Sequence, residues 1–573
     1  MNGIKRFFRQ NAYWIAGAIL GFAAFLFVYG PEPLRVTSIG WTQQGFYGQD
    51  IRQHQAGWMF YRNSPWSFPL CKALNLGYPE GTSVSYTDSI PIAALFFKLL
   101  SPVLPKSFQY FGIYTCFCFM MQGLFGAALV YRFTKHQLYS ALSSLLFVIS
   151  SCFLERCFRH TALSSHWLLL AALFLYFARK AACGEKYRLL YWTVLLCLAV
   201  GIHPYLFGMV YGVFIVSGLK ALTDRRSVKF TIFGILFGTG IVLLFGYVIG
   251  LFGTGVRADE GFGIYSLNLN GLFNPKSREH PVWSLFLPNR PVYGNQGDGI
   301  YYMGAGLLLT FAAVMIRLLI RERGALSRWI RSNLLLLALL AGCTLFAVSN
   351  VVTFDDKLLL TVPLPEGFYR IINIFRSSER FFFLPYYCII LTAAAGLYRM
   401  LSGNSRAALV CCLVLCGLQT ADILPGLKDL RGYFEIPREE AVFTGDWDVL
   451  ADHYNTAMTF DRNADYRLGF WLAKNHFRTN VMLSAMVHRL DFWARTEEER
   501  AAAKAALAEG SLATDPKTVW IIADKLDYDP SFESHEELMA YLDQVRKAYE
   551  GQAVLQFMTV NPVGDYWVLV PER

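Results

Sequence analysis

The feature that most constrains this chain is a succession of long apolar runs joined by short basic loops. About eleven of these runs are apolar and long enough to be membrane-spanning helices. They lie near Ala12–Gly30, Phe108–Val130, Gln137–Leu154, Ala162–Phe177, Leu189–Ile202, Tyr205–Leu219, Phe230–Phe252, Tyr301–Ile320, Leu334–Val348, Phe381–Leu397 and Ala407–Ile423. Charged residues make up 16% of the 573 residues, against roughly 25% in soluble domains. The sequence therefore predicts a polytopic α-helical membrane protein.

The pair His203-Pro204 interrupts one apolar tract. With its flanks this tract extends over roughly 35 residues, which is more than a single bilayer-spanning helix needs. Proline lacks a backbone N–H and breaks a helix, so two helices are predicted to meet here. His203 itself is interpreted as a structural histidine held by its neighbours, with a role in substrate binding as the alternative.

Basic residues in alternate short loops indicate the orientation of the chain. They are Lys5, Arg6, Arg9, Arg132, Lys135, Arg179, Lys180, Lys186, Arg188, Arg225, Arg226, Lys229, Arg321, Arg323, Arg328, Arg331, Arg399 and Arg406. Because cytoplasmic loops carry an excess of Lys and Arg, the N-terminus is predicted to be cytoplasmic, and an odd number of spans places the C-terminal region outside. The formal net charge of +10 therefore indicates topology and not a nucleic-acid partner.

Composition divides the chain into two predicted domains. Residues 1–430 form the transmembrane domain, with residues 31–89 as a polar catalytic loop on the outer face. Residues 431–573 have the composition of a small soluble α/β domain outside the membrane. Its helix starts and strands are indicated by two capping boxes, Thr496–Glu499 and Ser534–Glu537, and three apolar runs, Val519–Ala523, Val554–Val560 and Tyr566–Val570. No motif in it indicates catalysis, so packing or acceptor binding is its predicted role.

The outer loop contains an acid followed one helical turn later by a histidine, Asp50 and His54. The aromatic residues after His54 favour a short helix in the membrane interface, with a polar face turned toward the protein. Asp50 then has two interpretations. It is a helix cap, in a D-x-x-Q pattern with Gln53, or it is a general base or cation ligand. The pattern favours the cap, and the two roles do not exclude each other.

A second acid of the loop, Asp88, precedes Ile90-Pro91 and an apolar run that ends near Leu104. This run is too short to span a bilayer comfortably and is predicted to be a re-entrant or surface helix. Asp88 or Ser89 is the expected N-cap of that helix, with Pro91 in its first turn. The alternative is a chemical role for Asp88.

Two further outer loops concentrate arginine and histidine. The first contains Glu155, Arg156, Arg159 and His160, with His166 in the helix that follows, and the second contains Arg376, Glu379 and Arg380. The planar donors of arginine match phosphate geometry, so both loops are candidate contacts for a lipid phosphate. The alternatives for the first loop are arginines that extend to the membrane surface, or a Glu155–Arg159 ion pair at i,i+4 spacing. For the second loop the alternative is a charged collar beside an aromatic belt.

Five segments carry a resemblance to a known superfamily: GQDIRQHQAGWMFYRNSPWSFPL, YTDSIPIAALFFKLL, RHTALSSHWLLL, GIHPYLFG and FRSSERFFF. With the predicted topology they make the chain resemble the GT-C glycosyltransferases, and more closely an uncharacterised bacterial family of polytopic proteins grouped with them. The resemblance covers the membrane part and not the C-terminal region. It implies a location in the bacterial cytoplasmic membrane.

The resemblance implies transfer of a sugar, with inversion, from a polyprenyl-phosphate carrier to a glycan or other cell-envelope acceptor. An acid of the first outer loop would be the base, with Asp50 as the first candidate and Asp88 as the second. Arg156, Arg159 or Arg380 would hold the phosphate. The remaining candidate substrate-binding residues are His54, His160, His166, His203, Arg376 and Glu379.

Two points stay open at the level of the sequence. The chain lacks the paired D-x-D acids of metal-dependent GT-C members, so a divalent cation is neither indicated nor excluded, and no cofactor is predicted. The alternative function is a transporter or flippase for a lipid-linked glycan intermediate. It is disfavoured because transporters place ionisable groups near the bilayer midplane, where these apolar runs have almost none.

Overall fold

A computed structural model describes residues 11–44, 50–178, 185–223, 228–252, 261–276, 283–297, 299–438, 440–443, 445–459, 466–481, 492–512, 515–523, 532, 534–560 and 564–572. The chain divides into two compact units. Unit 1 comprises Met1–Arg35, Tyr110–Phe245 and Glu260–Ile436, and unit 2 comprises Val36–Gln109, Gly246–Asp259 and Pro437–Arg573.

The helices in the described ranges are numbered in chain order. They are α1 (Ala12–Tyr29), α2 (Gly40–Gln44), α3 (Asp50–Asn63), α4 (Pro91–Leu99), α5 (Phe111–Thr134), α6 (Gln137–Ser143), α7 (Leu145–Val148), α8 (Ser151–Leu154), α9 (Trp167–Tyr176), α10 (Glu185–Ile202), α11 (Pro204–Thr223) and α12 (Val228–Ile249). They continue with α13 (Ala305–Arg321), α14 (Arg323–Ser332), α15 (Leu334–Val348), α16 (Glu366–Ile372), α17 (Phe383–Met400), α18 (Ser405–Asp422), α19 (Leu424–Glu435), α20 (Asp446–His453), α21 (Tyr466–Lys474), α22 (Phe492–Ala508) and α23 (His535–Ala548).

The strands are short except at the C-terminal end. They are β1 (Lys72–Ala73), β2 (Thr82–Ser83), β3 (Val351–Phe354), β4 (Lys357–Thr361), β5 (Thr456–Met458), β6 (Arg478–Thr479), β7 (Thr518–Ala523), β8 (Ala553–Val560) and β9 (Gly564–Pro571). β1 pairs with β2 and β3 pairs with β4, both as antiparallel hairpins.

Six helices in the described residues are long and apolar enough to cross a membrane: Ala12–Tyr29, Phe111–Thr134, Pro204–Leu222, Val228–Ile249, Ser378–Met400 and Ser405–Asp422. α14 and α15 together form a seventh candidate, bent by 81°. The chain is therefore a multi-pass membrane protein. The other four predicted runs, namely α6 to α8, α9, α10 and α13, fold as helices whose apolar part is too short for a candidate span. The count of eleven spans stays a prediction.

Glycines bring α1 and α5 into close contact. A Cβ atom at Gly17 would lie 2.4 Å from the carbonyl oxygen of Gly123, and one at Gly21 would lie 2.1 Å from that of Phe119. Residues four apart lie on the same face of a helix, and small residues let the backbones of membrane helices approach each other. The GxxxG pattern of α1 is therefore the contact face for α5.

The helix break predicted at His203-Pro204 is present. α10 ends at Ile202 and α11 begins at Pro204, and the two helices pack against each other. The N–H of Tyr205 donates a hydrogen bond to Nδ1 of His203 at 3.2 Å. The imidazole thereby accepts from one of the backbone N–H groups that have no intrahelical partner at the start of a helix. This contact agrees with the structural interpretation of this histidine.

Five strands form a mixed sheet in unit 2, in the order β6-β5-β7-β9-β8. β5 is parallel to β6 and β7, whereas β9 is antiparallel to β7 and β8. The three predicted strands are all present, as parts of β7, β8 and β9. Ser534 caps α23 as predicted, because its Oγ accepts a hydrogen bond from the N–H of Glu537 at 3.1 Å. The box at Thr496 is wrong as a helix start, since α22 already begins at Phe492.

The polar loop after the first span belongs to the same compact unit as the C-terminal sheet. α3 packs against α21, and Nδ2 of Asn63 donates a hydrogen bond to the carbonyl of Ala473 at 2.6 Å. The N–H of Tyr78 donates to the carbonyl of Thr479 at 2.8 Å, and Leu76 forms a parallel bridge with Thr479. The loop therefore lies along the edge of the sheet, beside β6.

Candidate functional site

The helix α3, which carries the first predicted acid and histidine, is largely buried within unit 2. Trp58, Phe60 and Tyr61 are at most 1% exposed. Nε1 of Trp58 donates a hydrogen bond to the carbonyl of Phe108 at 3.0 Å, and the hydroxyl of Tyr61 donates to that of Leu70 at 2.7 Å. The predicted helix is present, but the predicted exposure of its aromatic rings to lipid headgroups is wrong, because protein encloses these rings. The position of the helix relative to the membrane stays a prediction.

His54 and Asp88 form the candidate acid–base pair of unit 2. Nε2 of His54 lies 3.4 Å from Oδ2 of Asp88, and the two side chains are 1% and 15% exposed. The carboxylate is therefore the member of the pair that solvent reaches. A buried imidazole beside a carboxylate can orient it and share a proton with it. Spacing alone associates His54 with Asp50, one turn away, whereas the structure pairs it with an acid from a distant turn.

The turn that carries Asp88 has an unusual backbone. Asp88 and Ile90 have φ values of 53° and 54°, in the left-handed region that a β-branched residue rarely adopts. Between them, Oγ of Ser89 donates a hydrogen bond to the carbonyl of His54 at 2.7 Å and forms another with Oγ1 of Thr87 at 2.7 Å. These bonds hold the strained turn against α3.

Gly57 is the residue that lets this turn approach α3. A Cβ atom at Gly57 would lie 2.1 Å from Oγ1 of Thr87 and 2.7 Å from Oγ of Ser89. Gly57 follows His54 by three residues, so the two lie on the same face of the helix. The missing side chain at this position therefore makes room for the acid-bearing turn beside the imidazole.

The cap predicted for the helix after this turn is wrong. The N-cap of α4 is Ile90, which makes no side-chain capping bond, because the hydroxyl of Ser89 bonds to α3 instead and Asp88 adopts a left-handed conformation. Pro91 lies in the first turn of α4, as predicted. Phe96 on α4 is 56% exposed, which agrees with the surface-helix interpretation of this run.

Asp50 is the first residue of α3 and is half-buried. A carboxylate in the first turn is favoured by the helix dipole. Residues 45–49, which precede it, lie outside the described residues. Gln53, its partner in the predicted capping box, is 3% exposed, and Nε2 of Gln53 has no hydrogen-bond partner in the described part of the chain. Both roles suggested for Asp50, cap and base, stay predictions.

Lys98 is a buried cation of unit 2 that the sequence reasoning overlooks. Its Nζ donates hydrogen bonds to the carbonyls of Tyr61 and Ser64 at 2.8 and 2.9 Å and lies 4.0 Å from the centre of the Tyr61 ring. Burial lowers the pKa of Lys98 to about 8, and the Cys71 thiol acts in the opposite direction. A cation at the C-terminal end of a helix is stabilising, so Lys98 ties α4 to the end of α3. A single lysine in an apolar run is the signal that points to it.

The two predicted arginine loops meet in unit 1. Nη2 of Arg156 lies 3.0 Å from Oε1 of Glu379, and both side chains are at most 1% exposed. Nη1 of Arg156 lies 3.2 Å from Nδ1 of His160. Gly299 packs against the ion pair, since a Cβ atom there would lie 2.6 Å from both Nη2 of Arg156 and Oε1 of Glu379. These residues form one buried polar cluster.

A second buried ion pair lies in the first of these loops. Nη1 of Arg159 is 2.7 Å from Oε1 of Glu155, and the side chains are 8% and 1% exposed. This is the i,i+4 pair that the spacing indicates. The alternative of arginines that extend to the membrane surface is wrong for Arg156 and Arg159, because both are buried and paired with glutamates.

Arg376 and Arg380, which flank Glu379, are only half-buried. The guanidinium carbon of Arg380 lies 5.0 Å from the centre of the Tyr205 ring. That ring is fixed by a hydrogen bond of 2.9 Å from the N–H of Ser377 to its hydroxyl oxygen. Of the four predicted phosphate contacts, these two arginines retain exposed surface.

A known family matches most of the transmembrane part. The family described as a domain of unknown function (DUF6311) matches residues 18–424, more than half of the chain. The chain belongs to the DUF6311 family. No curated protein sequence matches this chain. Both the His54–Asp88 pair and the Arg156–Glu379 pair lie within the DUF6311 segment.

Two further histidines of the DUF6311 segment are predicted substrate-binding residues. His160 is half-buried and contacts Arg156. His166 is fully buried, with Nδ1 2.7 Å from the hydroxyl of Tyr387 and its ring centre 4.2 Å from that of Phe383. The aromatic surroundings of His166 favour a structural role, whereas His160 keeps an exposed edge beside the arginine cluster.

Asp422 is a buried carboxylate of the DUF6311 segment that the hydropathy pattern hides inside a predicted span. Oδ2 accepts hydrogen bonds from the hydroxyl of Tyr302 at 2.6 Å and from the N–H of Ala305 at 2.8 Å, and Oδ1 accepts one from Oγ of Ser284. These donors compensate the buried charge. Asp422 therefore ties the end of α18 to the start of α13.

No metal centre emerges from the part of this DUF6311 chain that the structure describes. Within it, no three His, Cys, Asp or Glu side chains come together in a metal-binding arrangement. His54 and Asp88 supply one nitrogen and one carboxylate, fewer ligands than protein zinc or calcium sites use. The use of a divalent cation stays open.

Proposed function

We propose that this protein is a glycosyltransferase that moves a sugar from a polyprenyl-phosphate carrier to a hydroxyl group of a glycan or other cell-envelope acceptor, with inversion at the anomeric carbon. The observation that carries the proposal is the His54–Asp88 pair, 3.4 Å apart and built on a strained turn. Backbone strain of this kind is concentrated at functional sites. The membrane spans and the resemblance to GT-C enzymes support a lipid-linked donor.

Asp88 is the base in this proposal. The acceptor oxygen attacks the anomeric carbon, its proton passes to the Asp88 carboxylate, and the bond from the anomeric carbon to the phosphate oxygen breaks. The polyprenyl phosphate leaves with the electron pair of that bond. The partly exposed carboxylate can reach a substrate, whereas the imidazole of His54, 1% exposed, cannot. His54 is therefore a positioning residue, and Asp50 is the second candidate for the base.

The leaving phosphate requires cationic or hydrogen-bonding groups. Within unit 1, Arg376 and Arg380 are proposed as phosphate-binding residues because they retain exposed surface. Arg156 and Arg159 are each paired with a buried glutamate, and a buried ion pair loses much of its stability when one partner is drawn away. This choice departs from the resemblance, which implies that Arg156, Arg159 and Arg380 are equal candidates for holding the phosphate.

The proposed setting is the bacterial cytoplasmic membrane. The proposal keeps about eleven spans, with the four shorter helical segments crossing as well. It places the N-terminus in the cytoplasm and both the loop around α3 and the C-terminal sheet outside. The excess of basic residues in alternate short loops supports this orientation.

A transfer assay on the full-length protein in phospholipid vesicles tests the proposal. The probe is a synthetic, radiolabelled polyprenyl-phosphate hexose, with a cell-envelope extract as the source of acceptor, and release of polyprenyl phosphate is measured. Asp88→Asn is expected to lower turnover by roughly 10²–10⁴-fold, the usual contribution of a general base, while donor binding persists. His54→Gln is expected to lower kcat and to shift its pH profile.

Asp452→Asn is the matched control, because Asp452 is an exposed aspartate on α20. Wild-type turnover in Asp88→Asn would exclude Asp88 as the base. Wild-type turnover in both Asp88→Asn and Asp50→Asn would contradict the proposed mechanism. Transbilayer movement of the labelled lipid without release of polyprenyl phosphate would indicate a flippase instead.

A further inference from the structure

The hairpin of β3 and β4 in unit 1 is fixed at both ends. At its turn, Arg290 makes a bidentate ion pair with Asp355, and Nδ2 of Asn270 donates a hydrogen bond to Oδ1 of Asp355 at 2.6 Å. At its base, the N–H of Val362 donates to the carbonyl of Asn350 at 2.8 Å. The hairpin is therefore a rigid projection and not a loose loop.

The outer strand of this hairpin and the segment after it expose apolar side chains. All five residues of β4 are exposed, and since successive side chains of a strand point to opposite sides, both of its faces are open. The exposed apolar residues form what we call the apolar strip: Leu358, Leu359, Leu360, Val362, Phe368 and Ile374, each 43% to 60% exposed. Exposed apolar side chains concentrated in one short segment of the chain mark contact with a partner or with a membrane.

Chain connectivity attaches the segment that carries the apolar strip to candidate membrane helices at both ends. α15, the apolar half of the bent candidate span, ends at Val348, and β3 begins at Val351. A connection this short keeps the start of the hairpin within about 10 Å of the helix end. The strip ends at Ile374, shortly before the candidate span Ser378–Met400. Both ends of the segment are thus attached to candidate membrane helices.

The backbone of β4 limits how deeply the strip can lie. In the described residues, β3 is the one strand that pairs with β4. The opposite side of β3 is covered, since the N–H of Leu269 donates to the carbonyl of Thr353 at 3.1 Å. The outer edge of β4 turns its N–H and C=O groups outward, and the hydrocarbon core of a bilayer does not tolerate such an edge. The hydrated headgroup region can satisfy these groups.

We propose that the apolar strip is a membrane-anchoring surface that inserts into the interface of a phospholipid leaflet. Its side chains lie among the upper acyl carbons, and the edge of β4 lies at headgroup level. The exposed charges around it, Asp356, Lys357 and Glu366, suit the same level. A folded protein partner would cover one face of β4, whereas lipid reaches both. This anchoring does not depend on the sugar-transfer reaction.

Site-directed spin labelling of the full-length protein in phosphatidylcholine–phosphatidylglycerol vesicles tests the anchoring. Leu359→Cys on β4 and Phe368→Cys on α16 are labelled in a Cys183→Ser, Cys411→Ser background, because Cys411 is the exposed cysteine of the described residues and Cys183 lies outside them. Relaxation by oxygen, which partitions into lipid, is compared with relaxation by a water-soluble nickel chelate. Leu244→Cys on α12, where Leu244 is 59% exposed, is the lipid reference, and Glu550→Cys is the water reference.

Oxygen is expected to relax the labels at positions 359 and 368 several-fold more strongly than the chelate, as at position 244, while the chelate dominates at position 550. Chelate access equal to that at position 550 would overturn the proposal. Shielding from both reagents would also overturn it and would indicate a protein partner or a second copy of the chain. Because the two labels lie on different elements, loss of folding in one variant leaves the other readout intact.

Discussion

Oγ of Ser89 donates a hydrogen bond of 2.7 Å to the main-chain carbonyl of His54. This bond fastens the turn that carries Asp88 to the helix that carries its imidazole partner. The contact of 3.4 Å between the two side chains is therefore supported by the backbone of one element and the hydroxyl of the other. The geometry of the pair depends on how closely the turn packs on α3.

Gly57→Ala is expected to displace this turn. The new methyl group would lie 2.1 Å from Oγ1 of Thr87, and overpacking of this kind costs about 1–3 kcal/mol. Misplacement of a reacting group by about 1 Å costs on the order of 10²-fold in rate, so turnover in the transfer assay is expected to fall by that order.

Gly240→Ala is the matched control for Gly57→Ala. Gly240 is also a helical glycine, but a Cβ atom there meets nothing within 4 Å, so the substitution is expected to be neutral or stabilising by about 0.5–1 kcal/mol. If Gly57→Ala retains the turnover of Gly240→Ala, the close packing of the turn is irrelevant to the pair.

Removing one partner of the buried Arg156–Glu379 ion pair is expected to be strongly destabilising. Arg156→Met or Glu379→Gln leaves a buried charge uncompensated, which costs about 3–5 kcal/mol. The double variant is expected to cost less than the sum of the two. Thermal unfolding in detergent, followed by tryptophan fluorescence, measures each change.

The control for this cycle is the exposed Arg546–Asp543 pair, whose side chains are 56% and 57% exposed. Arg546→Met is expected to cost less than about 1 kcal/mol. If Arg156→Met lowers the free energy of unfolding by no more than Arg546→Met does, water must solvate the Glu379 carboxylate that is left without its arginine.

Lys98 is expected to make stability depend on pH. Its folded pKa of about 8 lies below the ordinary value of 10.5, so below about pH 8 folding carries the full cost of burying the charged amine. That cost disappears as the pH rises from about 8 to 10.5, since the unfolded state then binds more protons than the folded state. The wild-type protein is therefore expected to gain stability over this window relative to Lys98→Met.

The measured quantity is the thermal midpoint of the wild type minus that of Lys98→Met, taken at each pH across the same range. Taking the difference removes the titration of groups that both proteins share and that do not interact with Lys98, whereas Cys71, which interacts with Lys98, contributes to it. A difference that is constant with pH would contradict the lowered pKa. If the wild-type midpoint minus the Lys98→Met midpoint falls as pH rises, the direction of the pKa shift is contradicted.

Asp422→Asn is expected to destabilise unit 1. An amide group keeps the shape of the side chain but turns two donor hydrogens toward the donors at Tyr302, Ala305 or Ser284. A buried donor left unsatisfied costs about 1–3 kcal/mol. Ser284→Ala removes a single donor and is expected to cost less. The order of the two thermal midpoints checks this, and a reversed order would contradict the role of Asp422 as a tie.

The membrane helices and the break at His203-Pro204 can be predicted from sequence because apolar length and a proline act locally. The strands β7 to β9 can also be predicted, because each contains a short apolar run, which is likewise a local signal. The residue types of the arginine loops are also visible in sequence. Their pairing is not, since Arg156 and Glu379 are far apart in the chain and meet only through tertiary packing.

The pairing of His54 with Asp88 is hidden for a different reason. Helical spacing identifies only neighbours on one helix, and it favours Asp50. Asp88 reaches the imidazole through a left-handed turn that includes Ile90, a residue whose intrinsic preference is against that conformation. The same turn removes Asp88 from the capping position that the sequence predicts for it.

α1 is a structural component of the helix bundle and not an interchangeable membrane anchor. Gly17 and Gly21 leave no space for even a methyl group against α5. A leader helix without glycine at these two positions, however hydrophobic, would place side chains there and push α5 away. Replacing α1 by another membrane helix is therefore expected to disturb the packing of α5, whereas a tag that precedes α1 leaves this contact intact.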